Sequence, residues 1–183
     1  MLEVEVKIKT DIEKIASQLE SLGFVRRMAE YEKDVYYNGK HEDLREQDKA
    51  LRIREYRNVD LSSSRYLMNY KGPKVDDITM SREEIEFEIP SLEEGEKLFT
   101  GLGFFKAGGV EKTRICYTKS KITCCLDTVT DLGQFLEVEI VTSEDKYDEA
   151  LVEIENLLNQ LGLRIEDTIR ESYLCMLQKN NKN

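Results

Sequence analysis

Residues 2–9 alternate without exception between apolar and charged side chains, and this stretch limits the fold more than any other. One face would carry Leu2, Val4, Val6 and Ile8, and the other Glu3, Glu5, Lys7 and Lys9. A period of two is typical of a β-strand whose two faces meet different surroundings. The stretch therefore predicts a strand with one face in a hydrophobic core and one charged face.

The same alternation returns in three later segments, at residues 50–56, 83–89 and 134–141. Helical patterns follow the strands at 2–9, 83–89 and 134–141, and each pattern ends in Leu-Gly, at residues 22–23, 102–103 and 161–162. Repeated strand–helix units of this kind predict a pseudo-symmetric α+β domain.

Local signals mark the predicted ends of these elements. Thr10 with Glu13 and Ser91 with Glu94 have the spacing of capping boxes, and Ser143 begins the third helix. Further strands are predicted at 35–37, 65–71, 112–118 and 122–128, with Gly72-Pro73 ending the second of them. Residues 58–64 are expected to form a mobile hairpin tip, and residues 172–177 a last strand or a short helix.

The polar faces of these strands carry acids and bases in pairs of like charge. The acids are Glu3, Glu5, Glu84, Glu86, Glu88, Asp127, Glu137 and Glu139, and the bases are Lys7, Lys9, Arg52, Arg54, Lys71, Lys112 and Arg114. An open sheet would place these residues in water, whereas a closed barrel of about eight strands would place them inside. The residues alone leave both arrangements open.

Paired like charges need a compensating partner, because burying an uncompensated carboxylate costs several kcal/mol. Clustered carboxylates bind hard divalent cations, and clustered Arg and Lys bind phosphate. A chamber that holds both sets suits a polyphosphate carried with Mg²⁺ or Mn²⁺.

Composition excludes several other classes of protein. The 183-residue chain has a net charge of -10, which argues against nucleic-acid or anionic-membrane binding. No signal peptide or membrane span is evident, so a cytoplasmic location is expected. The four cysteines form no C-x-x-C pair and are expected to be reduced, and the single histidine, His41, lies in a polar stretch.

At the charged residues the sequence resembles the CYTH, or triphosphate tunnel metalloenzyme, superfamily. The matching motifs, in order, are Glu3-Val4-Glu5-Val6-Lys7, Arg52-x-Arg54, Tyr70-Lys71-Gly72-Pro73, Glu84-x-Glu86, Lys112-x-Arg114, Asp127, Gly133-x-Phe135-x-Glu137-x-Glu139 and Ser172-Tyr173. The segments at 32–36, 70–73 and 130–135 look most like the class IV adenylyl cyclases. One Glu-x-Glu-x-Lys motif is weak, but the ordered series covers nearly the whole chain.

The resemblance implies an eight-stranded antiparallel β-barrel, the triphosphate tunnel, with helices packed outside. It implies Mg²⁺ or Mn²⁺ held by Glu3, Glu5, Asp127, Glu137 and Glu139. It implies phosphate binding and catalysis by Lys7, Arg52, Arg54, Lys71, Lys112 and Arg114, with Lys9, Arg82, Glu84 and Glu86 as further substrate-binding residues. One domain is expected over residues 1–178, followed by a tail at 179–183.

Three functions follow from the resemblance. The first is class IV adenylyl cyclase activity, which converts ATP into cyclic AMP and pyrophosphate. The second is hydrolysis of inorganic triphosphate, thiamine triphosphate or a nucleoside triphosphate, and the third is binding without turnover. The expected partner is a small triphosphate-containing molecule rather than nucleic acid or a membrane, and whether the chain forms a homodimer stays open.

Overall fold

The computed structural model describes residues 2–58 and 64–180, so most of the predicted tip at 58–64 lies outside the described residues. Its strands are β1 (Leu2–Lys9), β2 (Val25–Gly39), β3 (Ala50–Asn58), β4 (Ser64–Lys74), β5 (Arg82–Ile89), β6 (Phe104–Lys119), β7 (Ile122–Val129) and β8 (Gly133–Thr142). Its helices are α1 (Ile12–Ser21), α2 (Leu92–Gly101), α3 (Tyr147–Gln160) and α4 (Tyr173–Asn180). The structure is thus α+β, as predicted.

The strands form a closed antiparallel barrel in the order β1-β5-β4-β3-β2-β6-β7-β8. The seam between β1 and β5 is short, because only Leu2 and Glu3 have partners on β5. Below it, the Met80 N–H donates to the Glu5 carbonyl at 2.9 Å, and the Ile169 N–H donates to the Lys7 carbonyl at 2.7 Å. Two connecting segments therefore satisfy the remaining edge of β1 and complete the closure.

The apolar faces of the strands point outward and pack under the helices. Val6 of β1 is fully buried with Leu19 of α1 and Leu158 of α3 in the largest hydrophobic cluster. A second cluster joins Ile53 of β3 to Phe99 of α2. Each such side chain contributes about 1.5–3 kcal/mol of burial free energy. The outer core thereby fixes the opposite, charged faces toward the barrel axis.

The repeated Leu-Gly ends have one structural cause. Gly23, Gly103 and Gly162 follow α1, α2 and α3 with φ of 82°, 90° and 74°, which is the left-handed region. The N–H groups of the next residues, Phe24 and Leu163, return to the carbonyls of Leu19 and Leu158. These contacts are the 6→1 bonds of Schellman motifs, so the sequence repeat corresponds to a repeated helix stop.

Several predicted boundaries are wrong. β2 begins at Val25 instead of residue 35, and β6 begins at Phe104 instead of residue 112, since their exposed outer halves show little alternation. β4 continues through Gly72-Pro73, where a register shift between Lys71 and Lys74 accommodates the missing proline N–H.

The helix boundaries also need correction. Asp11, not Thr10, caps α1, and its carboxylate accepts from the N–H groups of Glu13 and Lys14. A 3₁₀ turn at Glu144–Lys146 separates Ser143 from α3. The last element is a helix that continues to Asn180 and so includes the first residues of the predicted tail. The domain end at residue 178 stays a prediction.

The cysteine prediction is wrong in part. Cys116 and Cys125 lie directly opposite each other on β6 and β7, with Cα atoms 4.2 Å apart, and form a disulfide. Cys124 and Cys175 are free thiols. Reduced cysteines therefore no longer support a cytoplasmic location, which stays a prediction. None of the helices within residues 2–58 and 64–180 has the length and apolar character needed to cross a membrane.

The corrected cap yields a prediction for stability. Replacing Asp11 with Ala should lower the free energy of unfolding by about 1 kcal/mol, because two N–H groups of the first turn lose their acceptor. Urea unfolding followed by circular dichroism measures this change. Thr10→Ala is the matched control and should have no measurable effect; a larger loss in that variant would restore Thr10 as the cap.

Candidate active site

The barrel encloses a charged tunnel, a cavity of about 520 Å³. Its wall includes Glu3, Glu5, Lys7, Arg52, Arg54, Lys71, Arg82, Glu84, Glu86, Lys112, Arg114, Glu137 and Glu139, together with Tyr36, Tyr56, Asn69, Ser172 and Tyr173. The charged residues of this wall include every predicted site residue except Lys9 and Asp127. The strand period explains the result, since every second residue of each strand points to the barrel axis.

Two buried acids on β2 hold the arginines of β3. Asp34 accepts from Arg54 at 2.6 Å (Nε to Oδ1) and 2.8 Å (Nη2 to Oδ2), and from Arg52 Nη1 at 3.2 Å. Glu32 lies 2.7 Å from Arg54 Nη1. Burial alone would raise the pKa of Glu32, but Arg54, Lys112 and Arg114 outweigh it and lower that pKa to about 2. Both acids are therefore charged partners that fix the arginines.

Glu32 and Asp34 are not among the site residues predicted from the sequence. Every second position of this segment is polar or aromatic, at Glu30, Glu32, Asp34 and Tyr36. This period of two is the sequence signal that could have indicated a longer strand and these two acids. The strand prediction began only at residue 35, so the two acids lay outside any predicted strand.

Asp127 anchors the cations of β6 instead of facing the cavity. Its carboxylate accepts from Lys112 Nζ at 2.9 Å, from Arg114 Nε and Nη2 at 2.6 Å each, and from the Tyr173 hydroxyl at 3.0 Å. It is fully buried and absent from the tunnel wall. Four donors already contact its two oxygens, and its role as a metal ligand stays a prediction.

A third cluster surrounds Lys71 of β4. Its ammonium lies 2.9 Å from Glu3 and 2.8 Å from Glu84, while Glu5 is more distant at 3.9 Å. Burial raises the pKa of Glu3 well above its ordinary value, against the opposing effect of Lys71. On Glu84 the opposite holds, since Lys71 and Arg52 lower its pKa against the effect of burial. Lys71 thus lies close to both carboxylates, but the pKa of Glu84 is lowered and that of Glu3 is raised.

Three wall groups are left without strong partners, and they lie side by side. Glu5 of β1 faces Glu139 of β8 directly, and the next inward pair is Lys7 with Glu137. Among the described residues, Glu139 makes no hydrogen bond or ion pair, and burial together with Glu5 raises its pKa. Within residues 2–58 and 64–180, Lys7 has no carboxylate within 4 Å; its Nζ lies 4.6 Å from the Tyr173 ring centroid, and burial lowers its pKa.

The pair Glu5 and Glu139 fits a divalent cation. Two facing carboxylates repel when the nearest cation, here Lys71 at 3.9 Å from Glu5, is distant, and a hard cation bound between them would remove the repulsion. No three acids of residues 2–58 and 64–180 already stand in a metal-binding arrangement. Glu137 forms an ion pair with Arg114, and Glu3 forms one with Lys71. These two predicted metal ligands lie beside Glu5 and Glu139 on the same strands.

Two predicted substrate-binding residues, Lys9 and Arg82, already donate hydrogen bonds to backbone carbonyls. Lys9 is exposed beyond the end of the tunnel wall, and its ammonium donates to the Leu132 carbonyl at 3.1 Å. Arg82 lies on the wall, but its guanidinium donates to the carbonyls of Gly72 at 3.1 Å and Asp48 at 3.2 Å. The geometry gives Lys9 and Arg82 structural contacts rather than free donors.

The segment at residues 169–173 hydrogen-bonds to β1 and contributes Ser172 and Tyr173 to the tunnel wall. Tyr173 places its ring 4.6 Å from Lys7 Nζ and 5.3 Å from Lys112 Nζ, and packs on Phe135 with centroids 5.0 Å apart. Such cation–π contacts hold ammonium groups without neutralising them. The alternation of charged and apolar residues does not extend to this segment, so Tyr173 was indicated only by the resemblance.

A closed antiparallel barrel with acids and bases along its inner wall defines a charged β-tunnel protein. The family profile described as the CYTH domain matches residues 1–173, and the chain belongs to the CYTH family. The Methanocaldococcus jannaschii protein named "Putative adenylate cyclase MJ0240" is 39% identical over 176 residues, which cover 95% of this chain and 97% of that protein.

Two solved structures from Pyrococcus horikoshii OT3 share the fold. The PH1819 protein is 34% identical with a TM-score of 0.86, and the match covers 97% of this chain and 99% of that one. The PH1012 protein is 31% identical with a TM-score of 0.80, covering 93% and 96% of the two chains. The expected eight-stranded tunnel is confirmed.

The buried acid on β2 yields a second prediction. Asp34→Asn should lower the free energy of unfolding by about 3 kcal/mol, because two buried guanidinium groups lose a charged acceptor. Urea unfolding measures the change. Glu111→Gln removes a half-exposed pair with Lys33 on the outer face and should cost no more than about 1 kcal/mol. Equal losses in the two variants would contradict the assignment of Asp34.

Proposed function

We propose that the protein is a metal-dependent enzyme that cleaves the triphosphate chain of a substrate held in the tunnel, in the manner of a class IV adenylyl cyclase. The observation that carries this proposal is the position of the weakly paired charges. Glu5 and Glu139 offer a cation site, and Lys7, the next inward-facing residue of β1, offers an ammonium whose close contact is the Tyr173 ring. A phosphate chain that carries a metal ion needs these two charges next to each other.

The paired cations supply the rest of the phosphate site. Arg52, Arg54, Lys112 and Arg114 are held from behind by Glu32, Asp34 and Asp127 while their side chains line the tunnel. An arginine fork can donate to a carboxylate and a phosphate at once, because the guanidinium has five N–H donors. Preorganised donors of this kind stabilise charge that develops on phosphate oxygens during transfer.

Glu5 and Glu139, with Glu3 and Glu137 beside them, are the residues that would hold Mg²⁺ or Mn²⁺. Such an ion, when bound, supplies charge neutralisation and activates an attacking oxygen. The chain itself binds and orients the phosphates through Lys7, Arg52, Arg54, Lys71, Lys112 and Arg114. Asp127 keeps Lys112 and Arg114 aimed at them.

Cyclisation is the first candidate reaction, and the name of the M. jannaschii relative supports it. The ribose 3′-oxygen forms a bond to the α-phosphorus, the bond from that phosphorus to the bridging oxygen breaks, and pyrophosphate leaves. The hydroxyl proton passes to solvent. No group of the described tunnel wall is required as a covalent nucleophile for this step.

Hydrolysis is the second candidate, and the composition of the wall favours it. Most charged side chains of the tunnel wall are of types that suit phosphate or a metal ion, and hydrolysis needs in addition only a positioned water at the terminal phosphorus. Binding without turnover is the weakest reading, since a sensor has no use for the acid pair Glu5 and Glu139.

Product analysis distinguishes these functions. The purified protein is incubated with ATP and, separately, with inorganic triphosphate, each with Mg²⁺ or Mn²⁺, and products are separated by anion-exchange chromatography. Cyclic AMP with pyrophosphate is the result expected of the cyclase. Orthophosphate release would establish a triphosphatase instead, and binding without product from either compound would overturn the enzymatic proposal.

The acid pair yields a test of the metal site. Glu5→Gln and Glu139→Gln should each lower metal-dependent kcat by at least about 100-fold, because each removes an anionic metal ligand while keeping its shape. Circular dichroism should show an unchanged fold. Glu88→Gln, an exposed acid of β5 that is absent from the tunnel wall, is the control and should keep full activity. Wild-type rates in either tunnel variant would remove that residue from the metal site.

A further inference from the structure

The Lys7 ammonium differs from its neighbours on the tunnel wall. Arg52, Lys112 and Arg114 each form an ion pair with a buried acid. Within the part of the chain that the structure describes, the Lys7 ammonium makes no hydrogen bond or ion pair, although the residue is only 2% exposed. A lysine ammonium is a point charge on a flexible four-carbon stem. Its position in the tunnel therefore has to be set by another contact.

That contact is the aromatic ring of Tyr173. The ring centroid lies 4.6 Å from Lys7 Nζ and 5.3 Å from Lys112 Nζ, so one ring attracts both ammonium groups. Such attraction is strongest where water is excluded, and all three side chains are buried. An adjacent carboxylate would neutralise the ammonium and compete with phosphate for it. The ring instead restrains Lys7 and leaves its full charge available.

The Tyr173 side chain is itself fixed along its length. Its hydroxyl donates to Asp127 Oδ2 at 3.0 Å, and its ring packs on Phe135 with centroids 5.0 Å apart. Val110 and Val129 belong to the same buried cluster. A side chain locked by packing and by a hydrogen bond can hold a neighbouring group in a fixed geometry.

The segment that carries Tyr173 also holds the backbone of Lys7. The Ile169 N–H donates to the Lys7 carbonyl at 2.7 Å. The next residue, Arg170, donates from its guanidinium to the Asp76 carbonyl at 2.6 Å, in the connection between β4 and β5. This one segment thus contacts Lys7 at both its backbone and its ammonium.

We propose that Tyr173 is a positioning residue of the phosphate site, and that its ring holds the Lys7 ammonium in place for a phosphate oxygen without neutralising it. This inference rests on the proposed function and adds to it a residue that acts through Lys7 rather than on the substrate. Lys112 depends less on the ring, because Glu32 at 3.3 Å and Asp127 at 2.9 Å also hold it. The contribution of Tyr173 should therefore disappear when Lys7 is removed.

The first test separates the ring of Tyr173 from its hydroxyl. Tyr173→Leu removes the ring and should weaken binding of inorganic triphosphate and of ATP by at least about tenfold. Tyr173→Phe keeps the ring and should weaken binding by no more than about threefold, because only the hydrogen bond to Asp127 is lost. Isothermal titration calorimetry in Ca²⁺ measures each affinity, with products monitored to exclude turnover.

A double-mutant cycle tests whether Tyr173 acts through Lys7. Lys7→Met removes the ammonium and keeps an unbranched apolar stem, and the other cations of the wall remain to bind phosphate. In the Lys7→Met background, Tyr173→Leu should change the affinity by less than about twofold, since no ammonium is left for the ring to hold. The same loss in both backgrounds would show that Tyr173 acts independently of Lys7 and would overturn the inference.

Phe99→Leu is the control for lost stability. Phe99 is a buried aromatic residue of α2 in an outer hydrophobic cluster and is absent from the tunnel wall. Its replacement should lower the free energy of unfolding in urea about as much as Tyr173→Leu does, and should leave the affinity within about twofold of wild type. Equal losses of affinity in Phe99→Leu and Tyr173→Leu would reduce Tyr173 to a structural role.

The remaining outcomes separate the inference from the proposed function. Wild-type binding of either compound, combined with unchanged affinity in Tyr173→Leu or with equal losses in the Phe and Leu variants, would overturn the inference alone. Wild-type protein that binds neither inorganic triphosphate nor ATP would overturn the proposed function and the inference together.

Discussion

Charge compensation inside the barrel is the condition on which the rest of this structure depends. Glu32, Asp34 and Asp127 are almost completely buried, and each lies against at least two cations of the tunnel wall. Without these acids, each buried guanidinium or ammonium group would carry a desolvation cost of several kcal/mol. The acids therefore make a cation-lined tunnel compatible with a folded barrel, and they also hold the cations in fixed directions before any substrate binds.

Which residues share the inner wall was predictable from one local property, whereas closure of the sheet into a barrel was expected only from the resemblance. In residues 2–9 the period of two separates Glu3 and Glu5 from Val4 and Val6, and closure of the barrel converts one of these faces into the tunnel. The same reasoning placed Arg52, Lys112 and Glu137 correctly on the wall. Their roles in binding and catalysis follow from the resemblance and stay predictions.

Most of what could not be predicted depends on contacts between neighbouring strands and elements. Asp127 and Glu137 are both acids on inward-facing strand positions. Of the two, Asp127 is the one that accepts hydrogen bonds from three residues of β6 and α4. Cross-strand register decides such pairings, and the sequence of one strand does not specify its neighbour's register. The disulfide between Cys116 and Cys125 was missed for the same reason, and the cap at Asp11 was missed because two adjacent residues both suit that position.

The difference between strongly and weakly paired charges also bears on the choice of reaction. Arg52 and Arg54 are held in place by Asp34 and keep further N–H donors for a phosphate chain, whereas Glu5 and Glu139 are only weakly paired and would be the groups most changed by a metal ion. Which phosphorus would meet that acid pair depends on how far a phosphate chain lies along the tunnel. The charged wall is formed by side chains of several strands, so it offers charge along its length rather than one fixed position. One tunnel is thus compatible with attack at different phosphorus atoms, because charge alone does not fix the depth of the chain.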